Sequence, residues 1–247
     1  MFIEKKFTDE SFIEIIKAIK SHSYKFMKFD DANCLGVIET KSNTKTMILR
    51  HDVDMSPYGA LKLGEMEAEY EVVSNFFFQL NAGTYQMLSP YCIDICKELQ
   101  AMGHSVGLHV DSALFSEEEY KVKGTIDWIR SNLFPMDNVI SFHRPQAESL
   151  GRKYQSFISA YDEAFFDTDV YASDSKGEDG FYEKLENFLT SEVPFFQLLL
   201  HPCWWENETD RRKIYKLASI RKQKELDDYM LANFPKVFGH VILNKRG

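Results

Sequence analysis

The chain has no excess of positive charge, no long apolar run and no Cys-x-x-Cys pair. A net charge of -9 over 247 residues argues against nucleic acid or an anionic membrane surface as the main partner, because phosphate binding needs clustered Lys and Arg. The amino terminus, Met1-Phe2-Ile3-Glu4-Lys5-Lys6, is not followed by an apolar stretch, so no secretory signal or membrane span is expected and the protein reads as cytoplasmic. Four cysteines, Cys34, Cys92, Cys96 and Cys203, suit a reducing compartment; Cys92 and Cys96, four apart on an expected helix, read as small residues filling a helix-sheet interface rather than as metal ligands. No repeat, linker or low-complexity segment interrupts the chain, which is expected to form a single domain over 1-247.

What the sequence does have is a series of apolar runs that end in polar residues. Thr46-Met47-Ile48-Leu49-Arg50-His51-Asp52-Val53-Asp54 reads as a buried strand, followed by Ser56 as a helix cap and Pro57 at the first helical position. Strand side chains alternate, so Asp52 and Asp54 share one face while His51 takes the other and reads as a core or supporting group. Two carboxylates on one face repel unless a proton or a cation lies between them, and a divalent metal is the simplest candidate. Asp-x-Asp before a helix is also ordinary turn and cap chemistry, so the other strand ends decide the matter.

Those ends are alike. Val72 to Leu80 is an apolar, phenylalanine-rich run, and Ser105 to Asp111 ends in His109 and Asp111. Asn138 to Phe142 leads to His143-Arg144-Pro145, Phe165 to Tyr171 leads to Ser173-Asp174-Ser175, and Phe195 to Leu200 runs into His201-Pro202. Helices are expected at Thr8 to Lys20, Pro57 to Tyr70, Pro90 to Met102, Glu117 to Leu133, Asp179 to Leu189 and Thr209 to Asn233, with Val237 to Leu243 as one more strand. The basic run Arg211-Arg212-Lys213 and the Arg221 to Lys224 run read as a solvated helix face. Strands alternating with helices predict a parallel α/β sheet, in which all carboxyl ends lie on one side and would gather these groups.

In this order and spacing the motifs resemble the polysaccharide deacetylase superfamily, the NodB-homology group, between about Met47 and Trp205. The resemblance implies an irregular or incomplete (β/α) barrel with a divalent metal, zinc by preference, at the carboxyl ends of the strands. Residues 1-45 would then be an N-terminal helical extension, and 206-247 a C-terminal helix and tail. Asp52 takes the position of the general base and Asp54 that of a metal ligand. His109, in Gly103-His104-Ser105-Val106-Gly107-Leu108-His109, takes the position of a second ligand, while His104 reads as a residue near the helix end. Arg144-Pro145 matches a motif whose arginine would hold Asp52 ionised, and His201, oriented by Asp174, would be the general acid. Trp204 and Trp205 offer a stacking surface for a sugar ring, or ordinary packing at a helix start.

The chain departs from the family at one position, where Ala113 replaces a further histidine ligand. His143 or Asp111 is then the third ligand, and His143 is preferred because imidazole suits zinc. The activity implied is metal-dependent removal of an N-acetyl group from a sugar or polysaccharide precursor, by an enzyme of surface-polysaccharide biosynthesis. A cyclic imide or ureide amidohydrolase of the same superfamily and a catalytically silent carbohydrate-binding relative stay open.

Overall fold

The computed structural model describes residues 2, 4-31, 44-111, 118-206 and 210-243. Ala113 and Cys34 lie outside the described residues. Eight strands form one wholly parallel sheet: β1 (Lys25–Phe26), β2 (Thr46–Val53), β3 (Asn75–Gln79), β4 (Ser105–Asp111), β5 (Val139–His143), β6 (Ile158–Ser159), β7 (Tyr171–Ser173) and β8 (Phe195–Leu200). The order is β6-β5-β4-β3-β2-β8-β7, with β1 pairing β2 off this path, and no pairing joins β6 to β7 among the described residues. The sheet is therefore an incomplete (β/α) barrel. Helices cover it: α1 (Asp9–Ser21), α2 (Pro57–Glu69), α3 (Pro90–Ala101), α4 (Glu119–Asn132) and α5 (Gly177–Thr190), followed by α6 (Arg211–Asn233) and α7 (Pro235–Leu243). No helix is long and apolar enough to cross a membrane among the described residues.

The alternation expected of β2 is what builds this barrel. Met47 and Leu49 point outward into a cluster with α1 and α5, while Ile48 points inward to a plug with Phe77, Val139, Phe165 and Phe195. Each such ring or aliphatic side chain contributes about 1.5 to 3 kcal/mol when taken from water. Gly107 on β4 is needed beside this plug, since a Cβ there would sit 2.3 Å from the carbonyl oxygen of Val139 and 2.9 Å from the Phe77 ring. Above the plug the inward residues turn polar, beginning with Arg50.

Two expected elements differ. Phe165 to Tyr171 is not a strand: only Tyr171–Ser173 pairs with β8, because the preceding residues form turns that cross the open seam between β6 and β7. Gln197 of β8 stitches that seam, its side-chain amide donating to the carbonyls of Ala160 (3.0 Å) and Phe165 (2.9 Å). The tail Val237 to Leu243 is helical rather than a strand, with Pro235 opening α7 and Phe238 set against Phe234. Near the amino terminus α1 packs Phe12, Ile15, Ile16 and Ile19 into the cluster that holds α5 and Trp205, and β1 adds to the sheet beside β2.

Candidate metal and catalytic site

Inward-facing residues beyond the plug converge at the carboxyl ends of β2, β4, β5 and β8. From β2 come Arg50, Asp52 and then Asp54 at every second position. Arg50 is fully buried and grips Asp52 with two bonds, Nε to Oδ1 at 2.9 Å and Nη2 to Oδ2 at 2.7 Å. The Ser141 hydroxyl donates to Asp52 Oδ2 at 3.0 Å, and Arg50 also donates to the Tyr161 hydroxyl at 2.9 Å and to Gln197 Oε1 at 3.1 Å. Burial alone would raise the Asp52 carboxyl, but the Arg50 guanidinium and then His109 hold it below the usual carboxylate range. A charge in this position survives burial only because it is paired and hydrogen-bonded.

Asp54, one pleat further out, faces histidines from two other strands. Its Oδ1 lies 3.1 Å from His109 Nε2 and 3.2 Å from His143 Nδ1, and it also accepts from the Gln79 amide at 3.1 Å. One ligand atom from each of Asp54, His109 and His143 lies within 4.8 Å of the others. The other ring nitrogen of His109, Nδ1, is 3.2 Å from the Ser141 carbonyl, which can only accept, so Nδ1 donates there and Nε2 is the nitrogen that could exchange its hydrogen bond to Asp54 for a metal. Two imidazoles and a carboxylate with an oriented tautomer are a donor set that fits a divalent metal ion. Burial would raise the Asp54 carboxyl, yet hydrogen bonds from His109 and His143 hold it far below the ordinary value.

His201 stands across from these groups. Its Nδ1 is 2.6 Å from Asp174 Oδ1, its backbone N–H donates to Asp174 Oδ2 at 2.6 Å, and its Nε2 is 3.8 Å from Asp54 Oδ2. Burial would lower this imidazole, but Asp174, followed by Asp52 and Asp54, raises it to about 9. Asp174 is itself fixed by the Trp205 indole N–H at 3.1 Å. A cavity of about 310 Å³ opens over Asp54, Asp174 and His201, walled in part by Phe7, Glu178, Trp204 and Arg211.

The structure thus gathers Asp52, Asp54, His109, His143, His201 and Asp174, and corrects two expectations. The cation at Asp52 is Arg50, not Arg144: Arg144 lies one residue past β5 with a left-handed backbone (φ 55°), and its exposed side chain turns to Asp111 Oδ1 at 3.5 Å. Trp205 offers no face to a sugar, being wholly buried against Phe7, Phe12 and Phe181; Trp204 alone of the pair reaches the cavity. Arg50, Gln79, Ser141 and Tyr161 were not expected at the site. Arg50 was within reach of the sequence, because it shares the alternation of Asp52 and Asp54.

No model of a known protein family matches the chain, and no curated protein is significantly similar to it. Solved structures are similar at low identity. They include a peptidoglycan deacetylase of Bdellovibrio bacteriovorus (17% identity, 73% of this chain, TM-score 0.41), of which this chain spans only 51%. A CE4 esterase of Streptococcus mutans (15% identity, 77% of this chain and 86% of that one, TM-score 0.45) and the chitin deacetylase of Colletotrichum lindemuthianum (15% identity, 71% and 82%, TM-score 0.41) are others. Overlaps this loose say nothing about chemistry.

Proposed function

We propose that the protein is a metal-dependent amide hydrolase that removes an N-acetyl group from a sugar. The observation that carries this reading is that an ionised acid and a protonated imidazole both border one donor set. Asp52 is held ionised by Arg50 with its Oδ2 3.8 Å from His109 Nε2, and His201 is held protonated by Asp174 with its Nε2 3.8 Å from Asp54 Oδ2. Asp54, His109 and His143 would hold the ion, for which zinc suits two imidazoles and a carboxylate. When bound, a divalent ion acidifies water and polarises a carbonyl oxygen.

The chain's own residues supply the rest. Asp52, unable to shift because Arg50, Ser141 and the strand fix both its oxygens, takes the proton of the attacking water. His201 presents Nε2 to the cavity while Nδ1 stays locked on Asp174, so it can pass a proton only to a group in the cavity, the departing amine. Trp205 steadies Asp174, and Trp204 gives the sugar an aromatic wall.

Acetate release from N-acetylated sugars, with metal content measured on the same preparation, tests this. Wild type should bind close to one ion per chain and release acetate, and Asp52→Asn should bind the ion but lose about 100-fold or more in rate. Finding neither a stoichiometric ion nor any rate would favour a silent carbohydrate-binding relative, whereas ring opening of a cyclic imide without acetate release would favour the amidohydrolase reading.

A further inference from the structure

The cavity over the candidate site contains a charge that the hydrolysis described above does not use. Arg211, the first residue of α6, is the one lysine or arginine among the described residues that line the cavity. Its guanidinium carbon lies over the Trp204 ring, 5.6 Å from the centroid, an arrangement that holds the planar fork in place without neutralising it. Four neighbouring cations on α6 face acids: Arg212 lies near Asp210 (3.7 Å), Arg221 pairs with Glu206 (2.9 Å), Lys222 with Glu225 (3.1 Å) and Lys224 with Asp228 (2.6 Å). No ion pair joins Arg211 to an acid among the described residues. Two of the cavity's acids are otherwise placed, Asp54 with the imidazoles and Asp174 with His201 and Trp205, and the third, Glu178, makes no ion pair with Arg211 among the described residues.

The setting is uneven in charge. Residues 211-224 hold seven lysines and arginines and no acid, in a chain whose net charge is -9. Of these seven only Arg211 lines the cavity, so the local excess acts there through one guanidinium. A neutral glycan would offer it no charge to pair.

Resting on the hydrolase reading, we infer that Arg211 is a substrate-binding residue for an N-acetyl sugar carrying a phosphate or pyrophosphate group, with the sugar against Trp204 and the phosphate on the guanidinium. Arginine matches phosphate oxygens with two parallel charge-assisted donors. The same chemistry is presented by a sugar on a nucleoside diphosphate and by one on a lipid pyrophosphate.

Binding is measured by calorimetry on the full chain carrying Asp52→Asn, so that bound sugar is not consumed. The probes are a uridine diphosphate N-acetyl sugar, a short-prenyl pyrophosphate N-acetyl sugar and a neutral N-acetylglucosamine trisaccharide. At least one phosphorylated sugar should bind more tightly than the trisaccharide, weaken as salt is raised, and lose about tenfold or more in affinity with Arg211→Ala while Arg211→Lys recovers part of it. Which of the two phosphorylated probes is preferred identifies the source.

Equal affinity for neutral and phosphorylated sugars, an Arg211→Ala loss shared by the trisaccharide, or no binding of either phosphorylated probe overturns the assignment. Arg211-dependent binding without acetate release by the unsubstituted protein would uphold the anion site and sink the hydrolase reading. Acetate release from neutral sugars untouched by Arg211→Ala would do the reverse.

Discussion

Histidines and acids meet on both faces of strand β2, and the two faces end in opposite situations. Outward, His51 Nε2 meets Glu67 Oε1 of α2 at 2.6 Å, the Ser74 hydroxyl donates to Glu67 Oε2 at 2.5 Å, and His104 lies 3.6 Å from the same carboxylate. His51 is stacked on Phe76 at 4.4 Å, and His51 and Glu67 have no solvent exposure. Inward, Asp54 is a quarter exposed and opens on the cavity. The residue types are the same, so type does not separate a site from a strut. What separates them is access: the outward acid spends its oxygens on protein donors in a closed space, and the inward donors face a space that a ligand can enter.

The comparison can be broken most forcefully at Asp52. Asp52→Ala strands the buried Arg50 guanidinium and should cost about 3 to 5 kcal/mol in denaturant unfolding, on top of the lost activity. Retention of full stability would mean that the Arg50 pair is not what holds the inward face. At the donor set, His109→Ala should weaken metal binding by about 100-fold or more in a chelator competition. Its outward counterpart, Glu67→Gln, should cost about 1 to 3 kcal/mol through the weakened His51 and Ser74 bonds and leave metal content unchanged. Loss of the ion from Glu67→Gln would erase the distinction between the faces.

The smallest effect is expected from pH. His201 is raised from 6.5 to about 9 in the folded chain, so the His201-Asp174 pair stabilises the metal-free protein fully below about pH 6.5 and ceases to do so as the pH rises through about 9. Thermal unfolding of chelator-treated protein across that window should show the decline, and His201→Asn should flatten it. In the rate profile the alkaline limb should lie at or below about 9, since a cation near Asp54 favours the neutral imidazole.

Much of the arrangement was legible because β-strand alternation is a strict rule. Asp52 and Asp54 on one face, His51 on the other, and the tips of β4, β5 and β8 all follow from counting by twos along apolar runs. Arg50 obeys the same count, whereas the pairing of Arg144 with Pro145 in a motif does not show that the strand ends at His143 and the backbone then turns left-handed. Trp205 follows Trp204 directly, and sequence alone does not say which indole the α1 and α5 rings enclose. The seam was illegible for another reason: Phe165 to Val170 has strand-like composition but no neighbouring strand to bond, and tertiary context overrides propensity.

Helix α6 buries Ile214 alone of its 23 residues, and α7 buries only Ile242. A segment anchored by so little apolar contact should exchange its amide protons by local detachment long before the β2-β8 ladder opens, on a scale set by the Arg221-Glu206 and Tyr91-Glu225 links. Because Arg211 rides on that segment, a bound anion would act as a splint, and slowed deuterium uptake along residues 211-233 would report occupancy without any turnover.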